Sequence, residues 1–235
     1  MKKYLSATLA TMLLALGQIA HADNVGINAL SEAEKNAGWV LLFDGKSVNG
    51  WHSYQKSEVG AEWQVSDGVL SLTKGGGGDL ITNTAYENFE LSLQWKISPK
   101  GNSGIFFRVV ETEKYPWLSG LEYQLLDNAH LPEEPIEQAA SLFALYAPVK
   151  DVTLPTGEFN TARIVVNHGK VEHWLNGVKV VEYTIGSADF LARVAGSKFA
   201  KFPEFSVHKL GYIGLQDHGN PVYFRSIKIH PLPPG

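Results

Sequence analysis

Apolar and polar residues alternate one by one along much of this chain, most cleanly in Phe89-Glu-Leu-Ser-Leu-Gln-Trp-Lys-Ile97. Successive side chains of a strand point to opposite faces. Phe89, Leu91, Leu93, Trp95 and Ile97 therefore read as a core face, and Glu90, Ser92, Gln94 and Lys96 as a wetter one. The same period runs through Glu62-Trp-Gln-Val65 and Val69-Leu-Ser-Leu72, joined across Asp67-Gly68. It returns in Ala162–Val166, Val171–Leu175 and Val178–Val181, a predicted meander with a turn at Asn176-Gly177. Asp-Gly and Asn-Gly between alternating runs predict hairpins. Trp39–Phe43 is predicted as a buried strand and Tyr223–Ile229 as the closing one.

Helical signals are few. Asn28–Lys35 predicts one or two turns, with Ser31 as cap and Glu34 at the third position. A second short helix is predicted around Asp189–Val194. Strands recurring at roughly 10 to 15 residues, with little helix between, predict a sandwich or barrel rather than a parallel α/β sheet. Gly75–Gly78 leads into the strand-like Asp79-Leu-Ile-Thr and not into a helix. It is expected to be a flexible loop, not a phosphate cradle.

The 235 residues, 44% hydrophobic with 23 glycines, suit one turn-rich β domain with a sizeable core. No cysteine is present, which excludes disulfides, thiolate metal sites, a cysteine nucleophile and lipoprotein attachment. A net charge of −4 without a basic block points away from nucleic acid. Lys2 and Lys3, the apolar run Leu5–Ile19 and Ala20-His-Ala22 form a signal-peptide pattern over residues 1–22. The mature domain is then 23–235, periplasmic or secreted. No second long apolar run predicts a membrane span.

Three short stretches place chemistry on one predicted sheet face: Asn102–Arg108, Glu122–Asp127 and Gly211–Gly219. Alternation sets Glu122 and Gln124 opposite Leu121, Tyr123 and Leu125. It sets Arg108 opposite Phe107 and Val109, and Gln216 and His218 opposite Ile213 and Leu215. A face carrying Arg, Glu, Gln and His is expected to be a sugar-binding or sugar-cleaving cleft. Tyr115-Pro-Trp117 adds a stacking surface for a sugar ring, while His173 alternates with Val171 and Leu175 as a core residue.

These motifs, with Leu42-Phe-Asp-Gly-Lys46, Gly157–Asn160, His173–Gly177 and Phe224-Arg225, occur in the order seen in a known family. From about Gly38 to Pro231 the chain resembles the 3-keto-disaccharide hydrolase domain family. The resemblance implies an all-β, concanavalin A-like jelly-roll of two antiparallel sheets with a concave ligand face. It also implies cleavage of glycosides already oxidised to a ketone at sugar carbon 3, as a hydrolase or lyase. Two motifs depart from the family pattern: Ala140-Ser-Leu-Phe143 stands in place of Gly-Ala-Leu-Tyr, losing a phenol, and Phe159 replaces a tryptophan.

A 3-ketone acidifies the proton at carbon 2, so the reaction needs a base, an enolate stabiliser and help for the leaving group. His218 is the first candidate for base or acid and Glu122 the competing base. Arg108 is expected either to stabilise the enolate or to pair with Glu122. Gln124 and Gln216 would orient hydroxyls, with Trp174, Trp117 and Tyr146 as aromatic contacts. Asp127 would bind substrate or cap a loop. No cofactor is predicted, and no metal-ligand spacing occurs, although Glu, Asp and His on one surface leave a divalent cation open. The sequence has neither a Glu-x-Asp-x-x-Glu strand nor a Gly-x-Ser-x-Gly elbow. It also lacks a dinucleotide fingerprint, so a separate sugar 3-oxidoreductase is implied upstream. The competing reading is a non-catalytic carbohydrate-binding module on the same sandwich. A third, an interaction domain in an export assembly, has no partner named by the sequence.

Overall fold

A computed structural model describes residues 26–130 and 134–233; the signal-peptide expectation for 1–22 lies outside them. The early strands are β1 (Val40–Leu41), β2 (Trp51–Ser53), β3 (Trp63–Ser66), β4 (Val69–Leu72), β5 (Leu80–Tyr86) and β6 (Phe89–Ile97). Next come β7 (Asn102–Val109), β8 (Leu121–Leu126), β9 (Asn160–Asn167), β10 (Lys170–Leu175) and β11 (Val178–Thr184). The last two are β12 (Gly211–Leu215) and β13 (Val222–Pro231). An eight-stranded sheet runs β11-β10-β9-β6-β13-β4-β3, with β1 also on β13, and a five-stranded sheet runs β2-β5-β12-β7-β8. Every strand pairing among the described residues is antiparallel. The chain is an all-β jelly-roll sandwich.

β6 keeps the predicted alternation along its whole length, buried at each odd position. Phe89, Leu91, Leu93, Trp95 and Ile97 share one core with Phe107, Tyr123, Leu125, Ile213 and Leu215 from the other sheet. Each large apolar side chain taken from water contributes about 1.5–3 kcal/mol, which is the main force closing the two layers. His173 sits in this core, fully buried, with Nδ1 2.9 Å from the Ala140 carbonyl. Burial lowers its pKa to about 4, so the ring is neutral and Nδ1–H donates.

Asp67-Gly68 and Asn176-Gly177 each hold two consecutive positive φ angles, 52° and 75°, 49° and 80°. That is the type I′ signature. His168-Gly169 makes a third such turn, at 48° and 84°, with neither Asn nor Asp before its glycine. Helix α1 (Glu32–Ala37) starts on a reciprocal capping box between Ser31 and Glu34. Helix α2 (Ala188–Ala195) starts on Ser187 and buries Phe190.

The expected buried strand at Trp39–Phe43 is corrected. Only Val40 and Leu41 pair, on Ile229 and Lys228 of β13, and Val40 is 45% exposed. The cause lies in β13, whose register slips between Arg225 and Lys228, with Ser226 at φ 52°. At that irregularity Leu42 and Phe43 both donate to the Ile227 carbonyl and the regular ladder stops. Asn28 closes the same place: its side chain bonds Gly68 and Ser226, and its backbone N–H donates to the Ser226 hydroxyl.

Candidate active site

β7, β8 and β12 lie side by side in the five-stranded sheet. Tyr123 and Leu125 of β8 face the inter-sheet core, so Glu122 and Gln124 project from the other face. They line a cleft of about 300 Å³ together with Gln216, His218 and Trp117. Gln216 is fixed where it leaves β12, its N–H donating to the Gly104 carbonyl and its carbonyl accepting from Ser103 Oγ. Trp117 stacks on Tyr115, ring centres 5.4 Å apart and nearly parallel at 7°.

Glu122 is only 8% exposed. Burial pushes its carboxyl up to about 8; Lys198 and a hydrogen bond from Gln216 oppose the shift, and Asp79 adds to it. Gln124 Oε1 and Gln216 Oε1 are buried without partners among the described residues. Buried amide oxygens of this kind need donors, and sugar hydroxyls supply them. His218 stands exposed at the mouth of the cleft.

The turn that carries His218 is anchored from below. Asp217 Oδ2 accepts from the Gly76 and Gly78 amides, each at 2.9 Å, and Oδ1 accepts from Gly219 at 3.0 Å. Asp79 Oδ1 in turn accepts from the Asp217 amide at 2.8 Å. The expectation of a flexible Gly75–Gly78 loop is therefore corrected: its glycines clasp the Asp217 carboxylate. They also admit close backbone, since a β-carbon on Gly75 would come within 2.9 Å of Gly219 Cα. Asp79 is itself largely buried, which raises its pKa to about 6, with Asp217 adding to the rise.

Four expected site residues lie elsewhere. Arg108 neither pairs with Glu122 nor enters the cleft; it lines a separate cavity with Glu87, His168 and Lys209. The cause is a β-bulge. Between paired positions β12 advances from Tyr212 to Gly214 while β7 runs from Val109 to Phe106, one residue more. Arg108 takes φ 59° there, and alternation breaks. Trp174 is on the eight-stranded sheet, on the face opposite His173, under the Arg163 guanidinium and bonded to Glu172. Asp127 accepts from the Lys100 amide, Thr156 Oγ1 and His130 Nδ1, tying loops around another cleft. Tyr146 stacks on Tyr183 and donates to Asp189 Oδ2 at 2.6 Å.

The cleft also contains residues that the sequence reading did not single out. Lys198 and Phe199 come from a 3-10 turn, Lys198–Lys201, beyond α2, and Phe202 follows it. The Lys198 ammonium sits 4.1 Å from the centre of the Phe143 ring, which is itself part of the wall. In the sequence they fall just beyond the helix predicted around Asp189–Val194, with no alternation to assign them a face. Among the described residues, no group of three or more His, Cys, Asp or Glu is placed to hold a metal ion. None of the described helices is long and apolar enough to cross a membrane.

The model of a family described as a 3-keto-alpha-glucoside-1,2-lyase-like domain matches residues 38–230. A Bacteroides thetaiotaomicron protein named 3-keto-disaccharide hydrolase is 35% identical, over 83% of this chain and 79% of its own length. Two solved Parabacteroides distasonis proteins, provisionally assigned as glycosyl hydrolases, share the fold. One has a TM-score of 0.84 at 36% identity, covering 88% of this chain and 100% of that one. The other has a TM-score of 0.65 at 28% identity, covering 83% and 99%. With a family match that leaves out little more than the two ends, this chain belongs to the 3-keto-alpha-glucoside-1,2-lyase-like domain family.

Proposed function

We propose that this chain cleaves glycosides already oxidised to a ketone at sugar carbon 3. The observation that carries the reading is Glu122, a carboxyl that burial raises to about 8 in the cleft it shares with the unpaired amide oxygens of Gln124 and Gln216. Once ionised, such a carboxylate is a stronger base than an ordinary one. It removes the proton on carbon 2, and the electron pair moves into the C3 carbonyl to give an enolate. Collapse of the enolate restores the ketone, forms the C1–C2 double bond and expels the substituent on carbon 1. Water then adds at C1 and Glu122 returns the proton to C2, for a net hydrolysis.

Lys198 supplies the positive charge for the enolate oxygen, the part first given to Arg108. His218, at the mouth, protonates the departing oxygen and regains its proton from the incoming water. Gln124 and Gln216 hold hydroxyls, and Trp117 offers its face to a ring. The Lys2–Ala22 pattern supports export to the periplasm or beyond.

The test is a time course on a 3-keto-disaccharide and on its unoxidised parent, with wild type, Glu122→Gln and His218→Ala. Release of 3-ketoglucose from the keto substrate alone, reduced in both variants, is expected. Equal cleavage of both sugars would indicate an ordinary glycosidase. Binding of either without turnover would overturn the enzyme reading and leave a carbohydrate-binding module.

A further inference from the structure

Arg108 is 4% exposed, and its Nε is buried without a partner. Among the described residues its guanidinium makes no hydrogen bond and no ion pair. Buried cations are ordinarily paired, so this one is unusual. The nearby groups do not answer it. Glu87 acts on it only at a distance, and the Tyr183 phenol is held far above its ordinary range by burial and stays neutral.

The guanidinium opens instead onto a cavity of about 360 Å³, whose wall adds Lys209, His168 and Ser206. None of these residues lines the Glu122 cleft. Arg108 and Lys209 face one carboxylate there, Glu87, so the balance of charge favours an anion. A guanidinium presents paired N–H donors matched to carboxylate or phosphate oxygens. The space exceeds what a bare ion fills and suits a molecule of monosaccharide size.

We propose that this cavity is a second ligand site, which takes a small molecule through one oxyanion group, carboxylate or phosphate, held by Arg108 and Lys209. The β7 bulge that removes Arg108 from the cleft is then the device that builds this site.

The test is titration of the isotope-labelled protein with inorganic phosphate, glucuronate and, as a neutral control, glucose, at constant ionic strength. Amide shifts of Gly169 and Ser206 at the cavity are compared with those of Gly104 and Gly219 at the cleft. Saturable shifts at Gly169 and Ser206 with phosphate or glucuronate, and not with glucose, are expected. Phosphate alone would identify a phosphoryl group as the source, glucuronate alone a carboxylate, and both the shared oxyanion. Arg108→Gln should abolish binding. If that variant does not fold, Lys209→Gln, at an exposed position, should weaken it about tenfold. No shift with either anion, shifts only at the cleft, or equal affinity in Lys209→Gln would overturn the proposal.

Discussion

The Glu122 carboxylate rests against the bare Cα of Gly104: a β-carbon there would stand 2.3 Å from Oε1. Gly104 is the residue paired with Gln124 on the neighbouring strand, and its φ is not positive. Its missing side chain therefore serves space and not backbone freedom. Gly104→Ala is expected to leave the sheet folded and to displace the carboxylate. Misplacing a catalytic group by about 1 Å costs on the order of 100-fold, so kcat on a 3-keto-disaccharide should fall about that much with an unchanged circular dichroism spectrum. Full activity in this variant would show that the position of Glu122 is unimportant.

The same carboxylate should oppose folding at high pH. Its ordinary pKa is 4.5 and its folded value about 8, so between them the native state keeps a proton that the unfolded state has lost. Stability then falls as pH rises across that window, by up to about 1.4 kcal/mol per unit. Glu122→Gln removes this loss. Urea unfolding at pH 5 and pH 8 should show the variant gaining on wild type at the higher pH. An equal difference at both values would contradict the burial argument.

Turnover should report the same group. For a base, kcat/KM rises with pH up to the free enzyme's pKa, here near 8. Lys198 pulls that value down, so Lys198→Gln should move the rising limb to higher pH and lower kcat by about 100-fold. Lys198→Arg should keep the limb close to that of wild type. A limb that does not move in Lys198→Gln would remove Lys198 from the site's electrostatics.

Asp217→Asn tests the anchor under His218. A hydrogen bond to a charged acceptor is worth about 1.5–3 kcal/mol, and Asp217 accepts from Gly76, Gly78 and Gly219. Hydrogen exchange at Gly76 and Gly78 should speed up in the variant, while that of β6 stays slow. Unchanged exchange at those glycines would mean that the loop is held by other contacts.

The sandwich could be read in the sequence because its signals are local. β6 declares itself by strict alternation, and the turns at Asp67-Gly68 and Asn176-Gly177 need only their own backbone geometry. Glu122, Gln124, Gln216, His218 and Trp117 were also legible, and the structure brings them to one cleft. What failed depended on one inserted residue or on distant chain. The bulge in β7 turns Arg108 away, and alternation cannot count a residue that has no partner. Trp174 was misplaced because a period of two assigns a face but not which sheet carries it. The glycine loop looked free because the carboxylate it clasps is more than a hundred residues away in sequence.

β13 comes last in order among the described strands, yet in the larger sheet it lies between β6 and β4 and also carries β1. A ribosome that has not yet released Val222–Pro231 holds two half-sheets with open edges and nothing to join them. Such edges recruit other chains, and pairings this far apart in sequence form slowly. The nascent sandwich is thus built to stay open until β13 has emerged, and a chain cut short before β13 should aggregate rather than persist as a smaller sandwich.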